Sequence, residues 1–464
     1  MAGAQPAMAD AVDDAIAAAR KAPRNTSLAR AAAEALRNAG RIDEAITYWL
    51  KSGNTGQLEA AEAAFGLYRF DDAAGYLDTY LSKRTKAEAE KEPTVTTTTG
   101  AEIPLSEWLS ARIDLGRSML DRVEKIQVID SINVPAERFF RFMYLAREAG
   151  TLAGEGATAK VATDAVLDSL GLAYIDAPAY LTERGDELYW TGTDEEGRSA
   201  IFESSLLSDG MWDTPLRLFD FAEIFGNTSG QSVTTPFLMP DGVTLYFAAD
   251  GDDSLGGLDI FISRRDSDGR FLQPSNIGMP YNSPANDYMY AIDEETGLGW
   301  WASDRSGLQD TVTIYTFIPQ ELRINYDVDT PGLPAYAALS SIKLSQPEGA
   351  DYTALRRRVQ SLADPLSNGR GQEGSGAEFD FAMPDGRIMH RLSDFRSSMA
   401  RASMTRLLKA RAEAEADAAA LAELRQRYSR GDRSVGPEIL RRERQLETTR
   451  AELRDLANQV ATAE

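Results

Sequence analysis

The sequence contains no cysteine and only one histidine, His390, among its 464 residues. Without cysteine the chain has no thiol nucleophile, no disulfide and no cysteine-ligated zinc, and one histidine cannot form a multi-histidine metal site. The G-x-S-x-G context of a catalytic serine is also missing. We therefore interpret His390 as an ordinary histidine, and we expect no catalytic residue, no metal and no cofactor.

The chain also lacks an excess of positive charge and a long apolar run. Its 49 Lys and Arg are outnumbered by 72 Asp and Glu, which gives a net charge of −23. Such a field repels phosphate backbones, so we expect no nucleic-acid partner. No uninterrupted apolar stretch approaches the roughly 20 residues that cross a bilayer, so we expect a chain that does not span a membrane.

What is present is typical of a folded protein. Hydrophobic residues make up 43% of the chain and charged residues 26%, a composition that argues against disorder. At roughly 150 residues per domain, the length predicts about three domains.

Residues 1–9 resemble the end of an export signal. Ala7 and Ala9, just before Asp10, occupy the small-residue positions of a secretory cleavage site. The absence of cysteine fits this interpretation, because a stray thiol is oxidised outside the cytoplasm. We expect a periplasmic or outer-membrane-associated protein exported through a signal peptide. An expression leader or an Ala-rich start without a targeting role is the alternative.

Residues 10–82 show apolar positions at helical spacing. Ile42-Asp-Glu-Ala45 and Phe70-Asp-Asp-Ala73 repeat one pattern 28 residues apart, each at the expected start of a helix. The segment resembles tetratricopeptide repeats, which implies stacked helix pairs, and a plain helical bundle is the alternative. Residues 83–103, with their threonine run and no periodic apolar face, are predicted to be a linker. A helix is expected over 104–122.

Between residues 174 and 318 the apolar period changes to two, which predicts strands. Three units can be superposed. Their first strands contain Leu188-Tyr-Trp190, Leu245-Tyr-Phe247 and Gly299-Trp-Trp301, so the offsets are 57 and 54 residues. A second strand follows in each, at Ala200–Phe202, Leu258–Phe261 and Val312–Tyr315. One repeated hairpin module explains this recurrence, with its aromatic residues in the core.

The central unit resembles the TolB-type, WD-like propeller repeat. The resemblance is carried by Pro236–Phe247, Gly256–Phe261 and Pro274–Gly278. It implies a β-propeller over residues 104–392 with helical insertions and a repeat core at 174–318. Helical repeats followed by such a propeller are similar to envelope proteins of Bacteroidota that are associated with type IX secretion.

Three units do not close a ring, because propellers typically have four to eight blades. Further blades are predicted from Ile126–Val134, Ala335–Leu344 and Phe379–Met389, the last of which repeats the Met-Pro-Asp-Gly turn of the central unit. An open propeller or a sandwich of the same strands is the alternative. A helix is also expected near 135–147.

Residues 393–464 are predicted to form an antiparallel helical hairpin. The first arm is expected to begin at Ser393, a good N-cap, and the second at Pro437. An apolar seam of seven-residue spacing, which needs the other arm or a partner to cover it, is formed by Ile439, Leu446, Leu453 and Val460.

Two acidic clusters are the candidate binding residues: Asp250, Asp252, Asp253, Asp293, Glu294 and Glu295. Their oxygen atoms are suited to calcium, but the first cluster lacks the spacing of an EF-hand loop. Asp and Gly also shape turns, which is the simpler interpretation. Residues 174–318 hold 25 Asp and Glu against seven Arg and no Lys, so we hypothesise that a basic protein surface docks there.

Together the patterns predict a multidomain α+β protein with N-terminal helical repeats, a central all-β propeller-like domain and a C-terminal helical hairpin. We expect a non-enzymatic scaffold of the periplasm or cell envelope that binds other envelope proteins, in an outer-membrane or secretion complex. The alternative is a carbohydrate-binding or glycan-hydrolysing propeller that uses paired acids and exposed tryptophans.

Overall fold

The computed structural model divides the chain into two compact units, Met1–Asp364 and Pro365–Glu464. The fold is a mixed α+β arrangement with helices mostly near the N-terminus and several antiparallel sheets. The structure describes residues 5–96, 102–154, 158, 161–162, 166–167, 170–174, 177–194, 198–207, 212–219, 232–320, 322–363, 381–382, 388–389, 391–429, 432–442, 456, 459–460 and 463.

The N-terminal segment is helical, as its periodicity predicts. Its helices are α1 Gln5–Lys21, α2 Thr26–Asn38, α3 Ile42–Trp49, α4 Asn54–Gly66 and α5 Phe70–Lys83. Both copies of the repeated motif open a helix, α3 at Ile42 and α5 at Phe70, which confirms that expectation. Alanine lets the helices approach closely, because a methyl group fills little space between them. Fully buried alanines include Ala32, Ala33, Ala60, Ala61 and Ala64.

The segment predicted as a linker contains short elements instead. These are helix α6 Lys86–Ala89 and the antiparallel strands β1 Thr94–Thr96 and β2 Glu102–Pro104. Thr85 starts α6 with a capping box, in which its hydroxyl accepts from the Glu88 amide and the Glu88 side chain accepts in return. The β-branched threonines favour the strand pair. The next helix, α7 Leu105–Leu120, was expected from the sequence.

The remaining strands of the first unit form three antiparallel sheets. Their strands, in chain order, are β3 Gln127–Pro135, β4 Thr151–Ala153, β5 Leu172–Tyr174, β6 Ala179–Leu181, β7 Glu187–Asp194, β8 Ser199–Ser205, β9 Leu216–Arg217, β10 Val233–Leu238, β11 Thr244–Ala249, β12 Asp259–Arg264, β13 Ser275–Asn276, β14 Asp287–Asp293, β15 Leu298–Ser303 and β16 Thr311–Ile318. The first sheet has the order β4-β6-β7-β8-β9, with β5 also paired to β7. The second is β10-β11-β12-β13, and the third is β14-β15-β16-β3.

The three units recognised in the sequence share one hairpin. It consists of β7 and β8 in the first sheet, β11 and β12 in the second, and β15 and β16 in the third. Equivalent aromatic residues face each other across these pairs: Trp190 with Phe202, Phe247 with Phe261, and Trp301 with Tyr315. This common register confirms the predicted repeated module.

Strand β3 completes the third sheet, although more than 150 residues separate it from β16 in the chain. The strand predicted at Ile126–Val134 is therefore present. The prediction for Ala335–Leu344 was wrong, because this stretch carries helix α8 Leu333–Ala337 and the 3₁₀ turn Ile342–Ser345. Pro334 at the first turn of α8 fits a helix start better than a strand. Near 135–147 the chain forms 3₁₀ helix at Ala136–Phe142 rather than α-helix, and helix α9 Thr353–Ala363 ends the described part of this unit.

The second unit contains a small strand pair and helices. Strands β17 Phe381–Ala382 and β18 Ile388–Met389 form a sheet of their own, not a blade of a larger sheet. Helix α10 Ser398–Ser429 begins later than Ser393. The expected N-cap instead lies in the 3₁₀ turn Leu392–Asp394, where the Asp394 carboxylate accepts from the Arg391 amide.

The beginning of α10 packs against residues near 460, while most of the second arm of the predicted hairpin lies outside the described residues. The apolar cluster there contains Met389, Phe395, Ala400, Met404, Leu407 and Val460, with Leu456 against it. Of the predicted seam, Ile439 lies in the helical residues 436–442, and Leu446 lies outside the described residues, as does Leu453.

Candidate functional site

The predicted acidic residues Asp250, Asp252 and Asp253 lie in the loop that follows β11. Their loop contacts helix α7 through Arg112, whose Nη2 donates to the Gly251 carbonyl at 3.1 Å. The Arg112 guanidinium also lies over the Trp108 ring, 5.3 Å from its centroid. Arg112 is only 9% exposed, so the loop serves as its intramolecular acceptor.

At this contact, burial and the neighbouring charges shift the pKa values of Arg112 and Asp250 in opposite directions. Burial lowers the pKa of Arg112, and the nearby carboxylates of Asp250 and Asp259 act against that shift. Burial in turn raises the pKa of Asp250 to about 6, although Arg112 favours its charged form. The described residues contain no group of three or more acidic or histidine side chains arranged to hold a metal ion.

The second predicted cluster separates into one buried and two exposed residues. Asp293 is buried, and its carboxylate accepts from the backbone amides of Ala146 at 2.7 Å and Thr296 at 3.0 Å. Glu294 and Glu295 are exposed in the turn after β14. The Glu295 carbonyl accepts from Arg358 of α9 at 2.8 Å. Among the described contacts, none joins this cluster to the loop after β11.

Asp259 and Asp287 are buried carboxylates that the sequence analysis did not single out. Asp259 accepts from the Leu255 amide at 2.8 Å and from Asn276 Nδ2 at 2.7 Å. Burial, with repulsion from Asp287, raises its pKa to about 7. Asp287 pairs with Arg305 at 2.7 Å, where the two side chains are 0% and 8% exposed. The sequence feature that could have indicated this pair is Arg305, which follows the apolar strand β15 after one intervening residue.

Tyr68 brings the helical segment against this buried ion pair. Its ring is 5% exposed, and its hydroxyl lies near the charges of Arg305 and Asp287. That hydroxyl has no hydrogen-bond partner in the described part of the chain. The backbone of Tyr68 has φ of 59°, an unusual conformation for a bulky residue. Gly40, the matching position in the first motif, has φ of 73°.

Apolar contacts also join the helices to the sheets. Leu255 and Met279, which flank the second sheet, belong to the same buried cluster as Trp49 and Phe70 of the helical segment. The helical segment and the sheets are therefore parts of one packed unit.

The tryptophans considered as a sugar platform are buried. Trp190 and Trp300 are each 1% exposed, and Trp301 is 0% exposed. Their places in the repeated hairpins are core positions, as the sequence analysis expected. They present no exposed face to a glycan.

Another cluster of the described residues contains two carboxylates, Glu187 and Glu203, with Tyr189 between them. The Tyr189 hydroxyl donates to Glu187 at 3.0 Å, and Arg265 donates to Tyr189 at 2.9 Å and to Glu203 at 2.6 Å. Burial raises the pKa of Tyr189, so its hydroxyl is held protonated. Since Arg265 reaches from the second sheet to the first, the cluster links neighbouring sheets.

A cleft of about 440 Å³ opens on the helical segment. Side chains from α2, α4 and α5 form one side, including Arg37, Glu59 and Tyr80, and residues 87–95 with the start of α7 form the other. This volume is within the range of roughly 300–1,000 Å³ that is usual for ligand sites. The sequence pattern gave no indication of the cleft, because half of its wall comes from the segment predicted to be a linker.

Glu92 fixes the segment 85–96, here called the strap, which forms most of that second wall. The Glu92 carboxylate is 1% exposed and accepts from the Ser106 amide at 2.7 Å, the Tyr80 hydroxyl at 2.9 Å and Arg84 at 2.9 Å. Burial alone raises the pKa of Glu92, but these donors outweigh it and the pKa lies below its usual value. The strap is thus held to both α5 and α7.

His390 lies outside the described residues. Among the helices that the structure describes, none has the length and apolar character needed to cross a bilayer. Comparison with protein-family models, curated proteins and solved structures found no match to this chain.

Proposed function

We propose that this chain is a non-enzymatic scaffold of the bacterial cell envelope that holds other proteins in an outer-membrane or secretion complex. The observation that carries the proposal is the cleft between the helical segment and the strap, in a unit where the helices and sheets share buried contacts. Such a unit keeps a binding surface in fixed geometry. The buried carboxylates described above are engaged in backbone and ion-pair contacts, which are structural roles.

We further propose that the three sheets are blades of a TolB-type, WD-like propeller of the Bacteroidota envelope kind. Support comes from the hairpin shared by the sheets and from β3, which precedes the other strands in the chain yet pairs with the last of them. The A-x-A pattern at Ala7 and Ala9, together with the absence of cysteine, supports export to the periplasm.

Site-specific photocrosslinking in the native host tests the scaffold. A photoreactive amino acid replaces Thr55, an exposed residue of the cleft, or Arg20, an exposed residue at the end of α1. We expect discrete adducts with envelope proteins from position 55, and fewer or different adducts from position 20. A chain that crosslinks to nothing from position 55, or that fractionates with the cytoplasm, contradicts the proposal.

A further inference from the structure

Two glutamates stand one helical turn apart on the α4 wall of the cleft. Glu59 uses its Oε1 atom in an ion pair with Arg30, while its Oε2 atom is buried without a hydrogen-bond donor in the described part of the chain. Glu62 is exposed to solvent within the cleft and forms no ion pair among the described contacts. This wall therefore presents the Glu62 carboxylate to solvent, while the unused Glu59 oxygen beside it is shielded.

Arg30 pairs with Glu59, but the cations near Glu62 do not neutralise it. Arg37 is the cation closest in effect to Glu62, but it already pairs with Glu34 and lies over the Trp49 ring. Lys91 lies on the strap side of the cleft, where Glu88 and Glu92 also lie. Surrounding protein raises the pKa of Glu62, and Glu59 adds to that effect. A bound cation would favour the charged form of Glu62 and so oppose both influences.

Apolar groups accompany the carboxylates. Leu58 and Leu105 are 3% and 7% exposed at the base of the cleft, and Val95 of the strap is half-buried beside them. Aliphatic carbon next to an unpaired carboxylate matches a polypeptide segment, since the stem of a lysine or arginine lies along apolar surface while its charged end reaches an anion.

We propose that the cleft binds a polypeptide segment of a partner protein through a lysine or arginine whose cation pairs with Glu62. A neighbouring aliphatic side chain of the segment packs against Leu58 and Val95. The inference rests on the proposed scaffold function, and it names the chemistry of the partner. An acidic segment would meet four glutamates in the cleft lining against one arginine and one lysine.

A library of short random peptides tests the inference on the full-length chain. The peptides are selected against the native chain and against two variants, Glu62→Gln and Glu90→Gln. Glu90 is exposed and is not part of the cleft lining, so both variants change the net charge equally. This control matters because a chain of net charge −23 attracts basic peptides over its whole surface.

We expect lysine or arginine at a fixed position in the selected peptides, next to an aliphatic residue. Affinity measured by fluorescence anisotropy should fall about tenfold for Glu62→Gln and stay unchanged for Glu90→Gln, with unaltered melting for both. About tenfold corresponds to one desolvated charge contact. Peptides without a fixed basic position, or equal affinity for both variants, overturn the inference. If the peptides give either of these negative results but position 55 still forms adducts with envelope proteins, the scaffold function is supported and only the proposed basic ligand is wrong.

Discussion

The guanidinium of Arg112 in helix α7 donates to the backbone carbonyl of Gly251 at 3.1 Å, across 139 residues of sequence. This buried contact joins the helical segment to the acidic loop after β11. A loop with the composition of a cation site is therefore used inside the molecule as an acceptor for arginine.

Replacing Arg112 should lower the stability of the fold. Arg112→Met keeps the length of the side chain but removes the donors, so the free energy of unfolding should fall by about 2–4 kcal/mol. Arg117→Met, on the same helix, removes an exposed arginine that pairs with Asp71 and Asp114, and should cost under about 1 kcal/mol. Urea denaturation measures both. Equal losses would mean that the buried Arg112 contact contributes no more to the free energy of unfolding than the exposed ion pairs of Arg117.

Two helical glycines should respond in opposite directions to alanine. A Cβ atom at Gly116 in α7 would lie 2.5 Å from the Phe70 ring, whereas one at Gly75 in α5 meets nothing within 4 Å. Gly75→Ala should stabilise the chain by about 0.5–1 kcal/mol through helix propensity. Gly116→Ala should destabilise it by about 1–3 kcal/mol through overpacking. The melting temperature of each variant, measured by circular dichroism, tests both expectations. A stabilising Gly116→Ala would contradict the packing of α5 on α7.

Asp250 should make the stability depend on pH. Burial raises its pKa to about 6, so between about pH 4 and pH 6 the folded chain keeps a proton that the unfolded chain has lost. The contribution of Asp250 is therefore full at low pH and is lost as the pH rises through about 6, by up to about 3 kcal/mol. Asp250→Asn should remove this part of the slope.

The measurement for Asp250 is the free energy of unfolding at a series of pH values. Asp252→Asn, at an exposed position in the same loop, serves as the comparison: its charge adds only the smallest contribution to the raised pKa of Asp250, so the slope should shrink slightly and not disappear. An unchanged slope in Asp250→Asn would show that this carboxylate is not buried in solution.

Two buried tyrosines should differ when they lose their hydroxyl groups. Tyr80 donates to Glu92 at 2.9 Å, so Tyr80→Phe should lower the free energy of unfolding by about 1.5–3 kcal/mol. The Tyr68 hydroxyl has no hydrogen-bond partner among the described residues, so Tyr68→Phe should leave the stability unchanged or raise it by up to about 1 kcal/mol. Parallel denaturation curves test the contrast, which a large loss in Tyr68→Phe would contradict.

Local pattern was enough to locate much of the secondary structure. The motif at Ile42 and Phe70 marked two helix starts, and the repeat around Trp190, Phe247 and Trp301 identified one hairpin used in three sheets. These features depend on periodicity and on burial of one face, which a sequence carries directly.

The candidate site depends on contacts between distant segments, and so the sequence predicted it only in part. The sequence identified Asp250 and Asp293 as acids in turns. It gave no indication that Arg112 would donate to the backbone beside Asp250, or that the Ala146 amide would donate to Asp293. The cleft depends on the position of the strap, which lies beside α4 and α5. Glu92 holds the strap in that position.

The sequence by itself determined the helical N-terminus, the repeated aromatic hairpins and the absence of thiol chemistry, because side-chain type and spacing set each of these locally. The tertiary structure alone decided that β3 would complete the third sheet, that Tyr68 would take a conformation suited to glycine, and that Glu59 and Glu62 would face the strap. Those outcomes depend on tertiary contacts between segments that are distant in the sequence, and no local sequence pattern specifies such contacts.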